Sequence, residues 1–349
     1  MSESTPAFPV LASDPSQEVW IIRRPRTRWW LYVLFLVLTM FSTTVVGARI
    51  EFNYLHQQTM FSLNDDAISL FPVIWAFERP ANLLLGLPFS LTLMFILFAH
   101  EMGHYLYARH YRVHATPPFF VPFPSLIGTL GAFIRIKSPI PSRAALFDIG
   151  IAGPIAGFIP ACIALVVGLS LSHPIPAPQG DYFEIGFPLV FNLAARLLNI
   201  TAPLSLLSLH PIAVAAWVGM FATSLNLLPG GQLDGGHIVF SVSPRLHRWA
   251  SILTVLALIP LGKYFWNGWF LWAVMLAVTW RHPNVPRYPS VSGRRRWTAM
   301  FGLLILILTF TRVPLTSHPD QPLWPGIRDD ARDTIHHWRD DLRHRFHRR

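Results

Sequence analysis

Two histidines and a glutamate occur together in the segment HEMGHYLYARH, at the end of a long apolar run. His100 and His104 have the spacing HExxH, and residues i and i+4 of a helix lie on nearly the same face. Both imidazoles can therefore bind one metal ion, and zinc is well suited to such ligands. Glu101 lies too far around the helix to be a natural third ligand, so the pattern favours a role on a water molecule beside the metal.

The surroundings of Glu101 strengthen this interpretation. Glu101 is the only acidic residue between Arg79 and Phe147. A lone carboxylate within membrane-depth sequence is a functional-site candidate, because burying it in hydrocarbon is costly. The alternative is that the two histidines only cap a helix end at the membrane interface.

The third ligand predicted for this ion is Asp234, in the segment NLLPGGQLDGGH. A catalytic zinc ion takes three protein ligands, and Asp234 is the only acidic residue between positions 186 and 319. The alternative is a turn or N-cap role before the two glycines that follow it. In the same segment, Asn226 is a candidate to hydrogen-bond a substrate main chain or an oxyanion, or to satisfy the backbone freed near Pro229. His237 is either an outer contact of the metal site or an interfacial residue.

The composition places these residues in a membrane protein. Of the 349 residues, 52% are hydrophobic and 13% are charged, which is typical of an integral membrane protein and not of a soluble one. The formal net charge of +10 does not indicate nucleic-acid binding, because the arginines flank apolar segments as the positive-inside tendency predicts. The single cysteine, Cys162, excludes an internal disulfide framework.

The apolar segments predict an all-α polytopic membrane protein with about six to seven spans. The first four spans are predicted at about residues 29–48, 81–107, 144–171 and 206–228. Arginines before Trp29 place the N-terminus in the cytoplasm. The spans that lead to His104 and to Asp234 then both run inward, so the candidate ligands meet near the cytoplasmic side. The number of C-terminal spans stays open, because the apolar stretches 250–261 and 266–280 are short.

Residues 115–143 do not fit a span, because six prolines interrupt them. Within this segment, residues 132–137 alternate in character, which predicts a strand with Phe133, Arg135 and Lys137 on one face and Ala132, Ile134 and Ile136 on the other. The segment is either a small re-entrant β-hairpin or a plain cytoplasmic loop. After it, Gly153 and Gly157 form a small-xxx-small pair that allows another helix to approach closely.

The chain is therefore divided into five parts. These are a cytoplasmic N-terminal tail (1–28), a first transmembrane helix with an outer loop (29–80), a catalytic core (81–237), C-terminal transmembrane helices (238–314) and a polar, basic, His-rich tail (315–349). In the last part, apolar residues from Ile335 to Phe346 repeat at helical spacing, which fits an interfacial or a solvated helix.

HEMGH and the distant NLLPGGQLDGGH resemble the signature of the site-2 protease family, the intramembrane zinc metalloproteases of class M50. The resemblance covers roughly residues 83–237, which corresponds to the family's three-helix core. The stretch between the motifs is similar to bacterial and plastid members. Unlike many bacterial relatives, the loop of residues 172–205 has only 34 residues and cannot hold a PDZ domain. The second motif is carried by Asn226, Pro229, Asp234 and Gly235.

The resemblance implies one catalytic Zn²⁺ bound by His100, His104 and Asp234. It further implies that Glu101 is the catalytic glutamate, acting as general base on a water activated by zinc, and that Asn226 assists. The substrate would be a transmembrane protein or peptide, the other partner the lipid bilayer, with no nucleic acid involved. The expected location is the bacterial inner membrane, with the active site near the cytoplasmic side. The alternative function is a non-catalytic relative that binds membrane proteins, or a metal-handling membrane protein.

Overall fold

The structure, a computed structural model, describes residues 28–62, 72–78, 80–176, 182–283, 285–289 and 291–318. The N-terminal tail before Arg28 and the apolar stripe from Ile335 to Phe346 lie outside these ranges. The described helices are α1 (Trp29–Leu55), α2 (Val73–Glu78), α3 (Pro80–Leu85), α4 (Leu87–His110), α5 (Arg143–Leu171), α6 (Leu189–Leu197), α7 (Pro211–Asn226), α8 (Asp234–Val242), α9 (Pro244–Tyr264), α10 (Gly268–Val278) and α11 (Arg295–Thr309). The described strands are β1 (Phe61–Ser62), β2 (Phe119–Pro122), β3 (Thr129–Phe133), β4 (His173–Pro174), β5 (Tyr182–Ile185), β6 (Leu207–Ser208) and β7 (Leu315–His318).

Helices α4, α5 and α7 pack against one another and form the centre of the molecule. Small residues bring their backbones together. A Cβ atom on Gly103 of α4 would lie 2.4 Å from the carbonyl oxygen of Ala152, and one on Gly168 of α5 would lie 2.2 Å from the backbone nitrogen of Ala213. Neither space accommodates a larger residue, so glycine sets how closely these helices approach.

The predicted spans differ from the observed helices mainly at their ends. The third span was predicted from Ala144 and begins at Arg143. The second apolar run is divided at Gly86 into α3 and α4, because Pro88 has no backbone N–H to continue the first helix. Gly86 also lies directly against α1. The fourth span, predicted for about residues 206–228, is the shorter helix α7, which a 3₁₀ turn and strand β6 precede.

Two helices, α1 and α5, are long and apolar enough to cross a membrane by length and composition. The mostly helical structure and these two helices agree with the predicted all-α membrane protein. Helices α9, α10 and α11 also carry exposed large apolar side chains, among them Leu253, Leu271 and Leu303. A broad apolar outer surface of this kind fits contact with lipid. The count of six to seven spans stays a prediction.

A three-stranded antiparallel sheet, which the sequence analysis did not predict, joins the ends of three helices. Strand β5 pairs with β1 on one side and with β7 on the other. These strands follow α1, α5 and α11 in the chain, so the C-terminal ends of these three helices lie at the same end of the bundle.

The predicted hairpin is present as β2 and β3, paired antiparallel with Phe119 opposite Phe133. It packs against α1, where the Ser42 hydroxyl donates to the Gly128 carbonyl over 2.6 Å. The predicted alternation is confirmed in residues 132–137, where exposed and half-buried side chains take turns as expected. The regular strand ends at Phe133, and the chain continues with an isolated bridge between Ala115 and Ile136.

Candidate metal centre

The last turns of α4 bring both motif histidines and the glutamate into the interior. His100, Glu101 and His104 are all buried. They follow the apolar first part of α4, so these polar side chains lie inside the protein and do not face lipid. The two imidazole rings are tilted by 68° to each other, with 3.2 Å between their Nε2 atoms. The i, i+4 spacing thus places two nitrogen lone pairs at one point, as the sequence predicted.

Asp234 reaches the same point from a different part of the chain. It is the first residue of α8, after the turn that ends α7. Two glycines allow this turn to be tight. A Cβ atom on Gly235 would lie 2.2 Å from the carbonyl oxygen of Leu227, and one on Gly236 would lie 2.4 Å from that of Gly231. The predicted cap or turn role of Asp234 is therefore secondary, since the turn directs its carboxylate toward α4.

The three side chains form a nearly equilateral triangle of donor atoms. Asp234 Oδ2 lies 3.3 Å from His100 Nε2 and 3.2 Å from His104 Nε2. In a tetrahedral zinc site with bonds of about 2.0–2.1 Å, ligand atoms are roughly 3.3 Å apart. Among the described residues this is the one group of three or more such side chains with its donor atoms within 4.8 Å of one another. The donor set and its spacing therefore fit Zn²⁺.

Helix α5 orients the second histidine. His104 Nδ1 lies 2.7 Å from the backbone carbonyl of Ile149. A carbonyl oxygen only accepts hydrogen bonds, so Nδ1 carries the proton and Nε2 keeps its lone pair for the metal. The bond also fixes the ring plane.

The glycine pair of α5 faces the metal ligands. A Cβ atom on Gly153 would lie 2.1 Å from His104 Nε2, and one on Gly157 would lie 2.9 Å from the Cβ atom of His100. The sequence alone assigns these glycines to helix packing. The structure shows that the partners in this packing are the two imidazoles themselves, so the glycines make the space for the site.

Glu101 and Asn226 flank the triangle. Ile134, just after β3, lines the same polar cavity as Glu101. The amide nitrogen of Asn226, the last residue of α7, lies 3.4 Å from His100 Nε2. All five residues predicted for the site therefore lie together in the structure.

Two cavities meet at these residues. One, of about 240 Å³, is mostly apolar and lies between α4, α7, α10 and β3, with Ile96, Leu225, Trp272 and Leu130 among its lining residues. The other, of about 220 Å³, is more polar and contains the triangle, Gln232 and His237. His100, Glu101, Ala132 and Asn226 line both. The candidate general base thus lies at the boundary between an apolar and a polar space.

A polar cluster that the sequence does not predict lies near the N-terminal end of α5. Arg295 donates to both carboxylate oxygens of Asp148, over 2.8 and 2.7 Å, and the Tyr111 hydroxyl donates to the same carboxylate. Burial, followed by the contact with Asp148, raises the pKa of Tyr111, so its hydroxyl remains a donor. The cluster ties the end of α4 and the start of α11 to α5.

The fold and site together define a class of protein: a helical membrane protein in which an HExxH helix and a distant aspartate bring three donor atoms to a spacing that suits zinc. The family model described as "Peptidase family M50" matches residues 88–259. The chain belongs to this family. The assignment confirms the resemblance stated from the sequence. Together with the donor triangle, it supports the predicted class of zinc metalloprotease and the predicted Zn²⁺ cofactor.

Curated relatives come from plants. The chain is 29% identical over 321 residues to "Probable zinc metalloprotease EGY1, chloroplastic" of Oryza sativa subsp. japonica. The aligned region covers 86% of this chain and 53% of the relative. It is 32% identical over 261 residues to "Probable zinc metalloprotease EGY2, chloroplastic" of Arabidopsis thaliana, covering 72% of this chain and 45% of the relative. The chain spans about half the length of these relatives.

Proposed function

We propose that this protein is an intramembrane zinc metalloprotease that hydrolyses peptide bonds of membrane-spanning substrates. One observation carries the proposal. Three donor atoms lie 3.2–3.3 Å apart with the buried Glu101 beside them, at the meeting point of two cavities. Family membership and the names of the plant relatives support the same chemistry.

Each predicted site residue has a role in this reaction. His100, His104 and Asp234 would hold Zn²⁺, which supplies Lewis acidity that polarises a carbonyl group and makes a water molecule more acidic. Glu101 takes a proton from the water as its oxygen bonds to the scissile carbonyl carbon. The same carboxylic acid then protonates the amine nitrogen as the carbon–nitrogen bond breaks. Asn226 donates its amide N–H to the substrate carbonyl oxygen.

The substrate must present an extended segment to this site. A peptide bond inside a helix is shielded by its own turn, so the substrate helix unwinds locally. Strand β3 pairs with β2, while its residues Thr129 to Ala132 line the apolar cavity beside Glu101. An unwound substrate can add to β3 as a further strand, with backbone hydrogen bonds for affinity and the apolar cavity for a large side chain.

The topology proposed for the chain is six to seven spans with the N-terminus and the active site toward the cytoplasm of a bacterial inner membrane. Support comes from the arginines before Trp29 and after α10. The pairing of β1, β5 and β7 supports the same alternation, because α1, α5 and α11 end on one side. A re-entrant hairpin β2–β3 fits this arrangement, since it packs against α1 instead of extending from the bundle.

The alternative is a non-catalytic relative that holds membrane proteins, or a metal-handling protein. The position of Glu101 favours the protease. Holding a metal or a partner does not require a carboxylate that lies beside the donor triangle without belonging to it. A transporter would distribute polar residues along several spans, whereas the site residues here form one cluster.

Purified protein tests the proposal with a peptide substrate that spans a detergent micelle or bilayer. Glu101→Gln should retain one zinc ion per chain and lose cleavage. Asp234→Ala should lose zinc and cleavage together, because one of three ligands is removed. Cleavage by Glu101→Gln at the unmodified rate would exclude the protease. Stoichiometric, tightly held zinc in Asp234→Ala would exclude the ligand assignment.

A further inference from the structure

A second pair of histidines lies on the polar side of the metal centre. His237 Nδ1 lies 2.7 Å from His282 Nε2, and His282 Nδ1 lies 2.7 Å from the backbone carbonyl of Pro283. His237 stands one helical turn after Asp234 on α8, and its side chain lines the polar cavity together with Glu101. The two histidines are 45 residues apart in the chain, so only the fold brings them together.

The partners determine which nitrogen of each ring carries a proton. The Pro283 carbonyl only accepts, so His282 Nδ1 is protonated and, in the neutral ring, His282 Nε2 has a lone pair. Burial, the largest influence, lowers the pKa of His282, which keeps this ring neutral near pH 7. His237 Nδ1 must then donate to His282, which leaves His237 Nε2 as an unprotonated acceptor.

The surroundings hold this arrangement in place. The His282 ring stacks on Phe240 with 3.9 Å between centroids and 14° between planes. His247 lies perpendicular to it at 5.6 Å and is itself anchored to the Gly231 carbonyl over 2.8 Å. The loop that carries His282 is therefore fastened to α8 and α9 beside the metal centre.

We propose that His237 is a positioning residue whose Nε2 accepts a hydrogen bond from water in the polar cavity beside Glu101, and that His282 maintains the tautomer this requires. Among the described residues, the His237 side chain makes its hydrogen bond through Nδ1 alone, so Nε2 is the nitrogen that remains for the cavity. A volume of about 220 Å³ has room for several water molecules, each of which occupies about 30 Å³ in the liquid. The pair thereby supplies and orients water for hydrolysis, and this inference rests on the proposed protease function.

Two isosteric substitutions separate the nitrogens of His237. In His237→Asn, the amide nitrogen replaces Nδ1 and still reaches His282, but nothing replaces Nε2. In His237→Gln, the amide group extends to the Nε2 position and restores an acceptor for the cavity. His282→Phe keeps the stacking on Phe240 and removes both nitrogens.

We expect His237→Asn to lower kcat about three- to tenfold with an unchanged KM, which corresponds to one neutral hydrogen bond. His237→Gln should recover most of the rate, and His282→Phe should lower kcat by less. The double variant His237→Asn/His282→Phe should be no slower than His237→Asn, because His282 acts through His237. Zinc content should stay at one ion per chain in every variant.

A second measurement is independent of catalysis. Nitrogen-15 spectra of histidine-labelled, zinc-free protein should show an unprotonated Nε2 for His237, identified as the signal missing from His237→Asn. His282→Phe should convert this signal to a mixture of tautomers. If the unmodified protein does not cleave at all, the proposed function fails while this spectrum still tests the tautomer.

Several results would overturn the inference while leaving the protease intact. These are an unmodified kcat in His237→Asn, an effect on KM alone, equal losses in the Asn and Gln variants, or additive losses in the double variant. A protonated Nε2 in the spectrum would do the same.

Discussion

Replacement of Gly153 by alanine should remove zinc from the protein. The added methyl group would lie 2.1 Å from Nε2, 2.4 Å from Cδ2 and 2.5 Å from Cε1 of His104. Ordinary carbon contacts are about 3.5–4.0 Å, so the imidazole must move by about 1.4 Å or more. The imidazole has little room to move, because its Nδ1 is hydrogen-bonded to the carbonyl of Ile149, which lies on α5 together with Gly153. On the other side, His100 Nε2 lies 3.2 Å from His104 Nε2.

A movement of this size is incompatible with metal binding. Metal–ligand distances tolerate deviations of about 0.2 Å. Loss of an outer partner of a metal ligand already costs about 10–100-fold in affinity, so displacement of the ligand itself should cost more than about 100-fold. We therefore expect Gly153→Ala to contain far less than one zinc ion per chain, and to show no cleavage.

Metal content by mass spectrometry and a competition titration with a zinc chelator measure this effect on monodisperse, detergent-purified protein. Gly168→Ala is the matched control. It is in the same helix and equally crowded, with its Cβ atom 2.2 Å from the backbone nitrogen of Ala213, but its neighbour is α7 and not a ligand. The control should unfold at a lower temperature and retain zinc. Zinc of unchanged affinity in Gly153→Ala would show that His104 is not held as described.

Three further outcomes are expected. Asn226→Ala should retain zinc and lower kcat by about 10²–10³, the usual cost of an oxyanion donor; cleavage kinetics with unchanged kcat would remove Asn226 from the reaction. Arg295→Met should lower the free energy of unfolding by about 1–2 kcal/mol, because it leaves the Asp148 carboxylate without its charged partner; Lys, which keeps one charge, is the control, and an unaltered thermal unfolding curve would contradict this. Chelation should abolish cleavage and added Zn²⁺ should restore it, while circular dichroism shows the helices intact; activity that survives complete zinc removal would contradict the role of the metal.

The positions of the longer helices could be predicted because their signals are local. The apolar run that begins after Ser142 predicts α5 to within one residue at its start. The break at Gly86 has a local signal, because Pro88 at the start of α4 cannot continue the preceding helix. What the sequence does not show is the contact with α1, where the Thr44 carbonyl would lie 1.9 Å from a Cβ atom at Gly86. The sheet β1–β5–β7 escaped prediction for the same reason: segments of two to four residues carry no period of their own, and their pairing spans most of the chain.

The site also contains residues that local sequence signals predict and contacts that they do not. His100, Glu101 and His104 follow from spacing on one helix, and Asp234 follows from the scarcity of acidic residues around it. His282 has no spacing relation to either motif, so its contact with His237 is visible only in three dimensions. Asp148 is an isolated acid in an apolar segment, and its partner Arg295 lies 147 residues away, so no local pattern predicts their contact.

Helix α5 explains how a precise metal site can form in an apolar setting. Lipid provides no hydrophobic driving force between helices, so position must come from close backbone contact and from polar groups. Helix α5 supplies both, since the Ile149 carbonyl fixes the His104 ring, Gly153 makes space for that ring, and Asp148 binds Arg295 of α11. Exposed apolar residues such as Ile163 lie in the C-terminal half of α5. Volume changes at these exposed positions should be tolerated, while a single methyl group at Gly153 should abolish zinc binding, because Gly153 lies against the His104 imidazole.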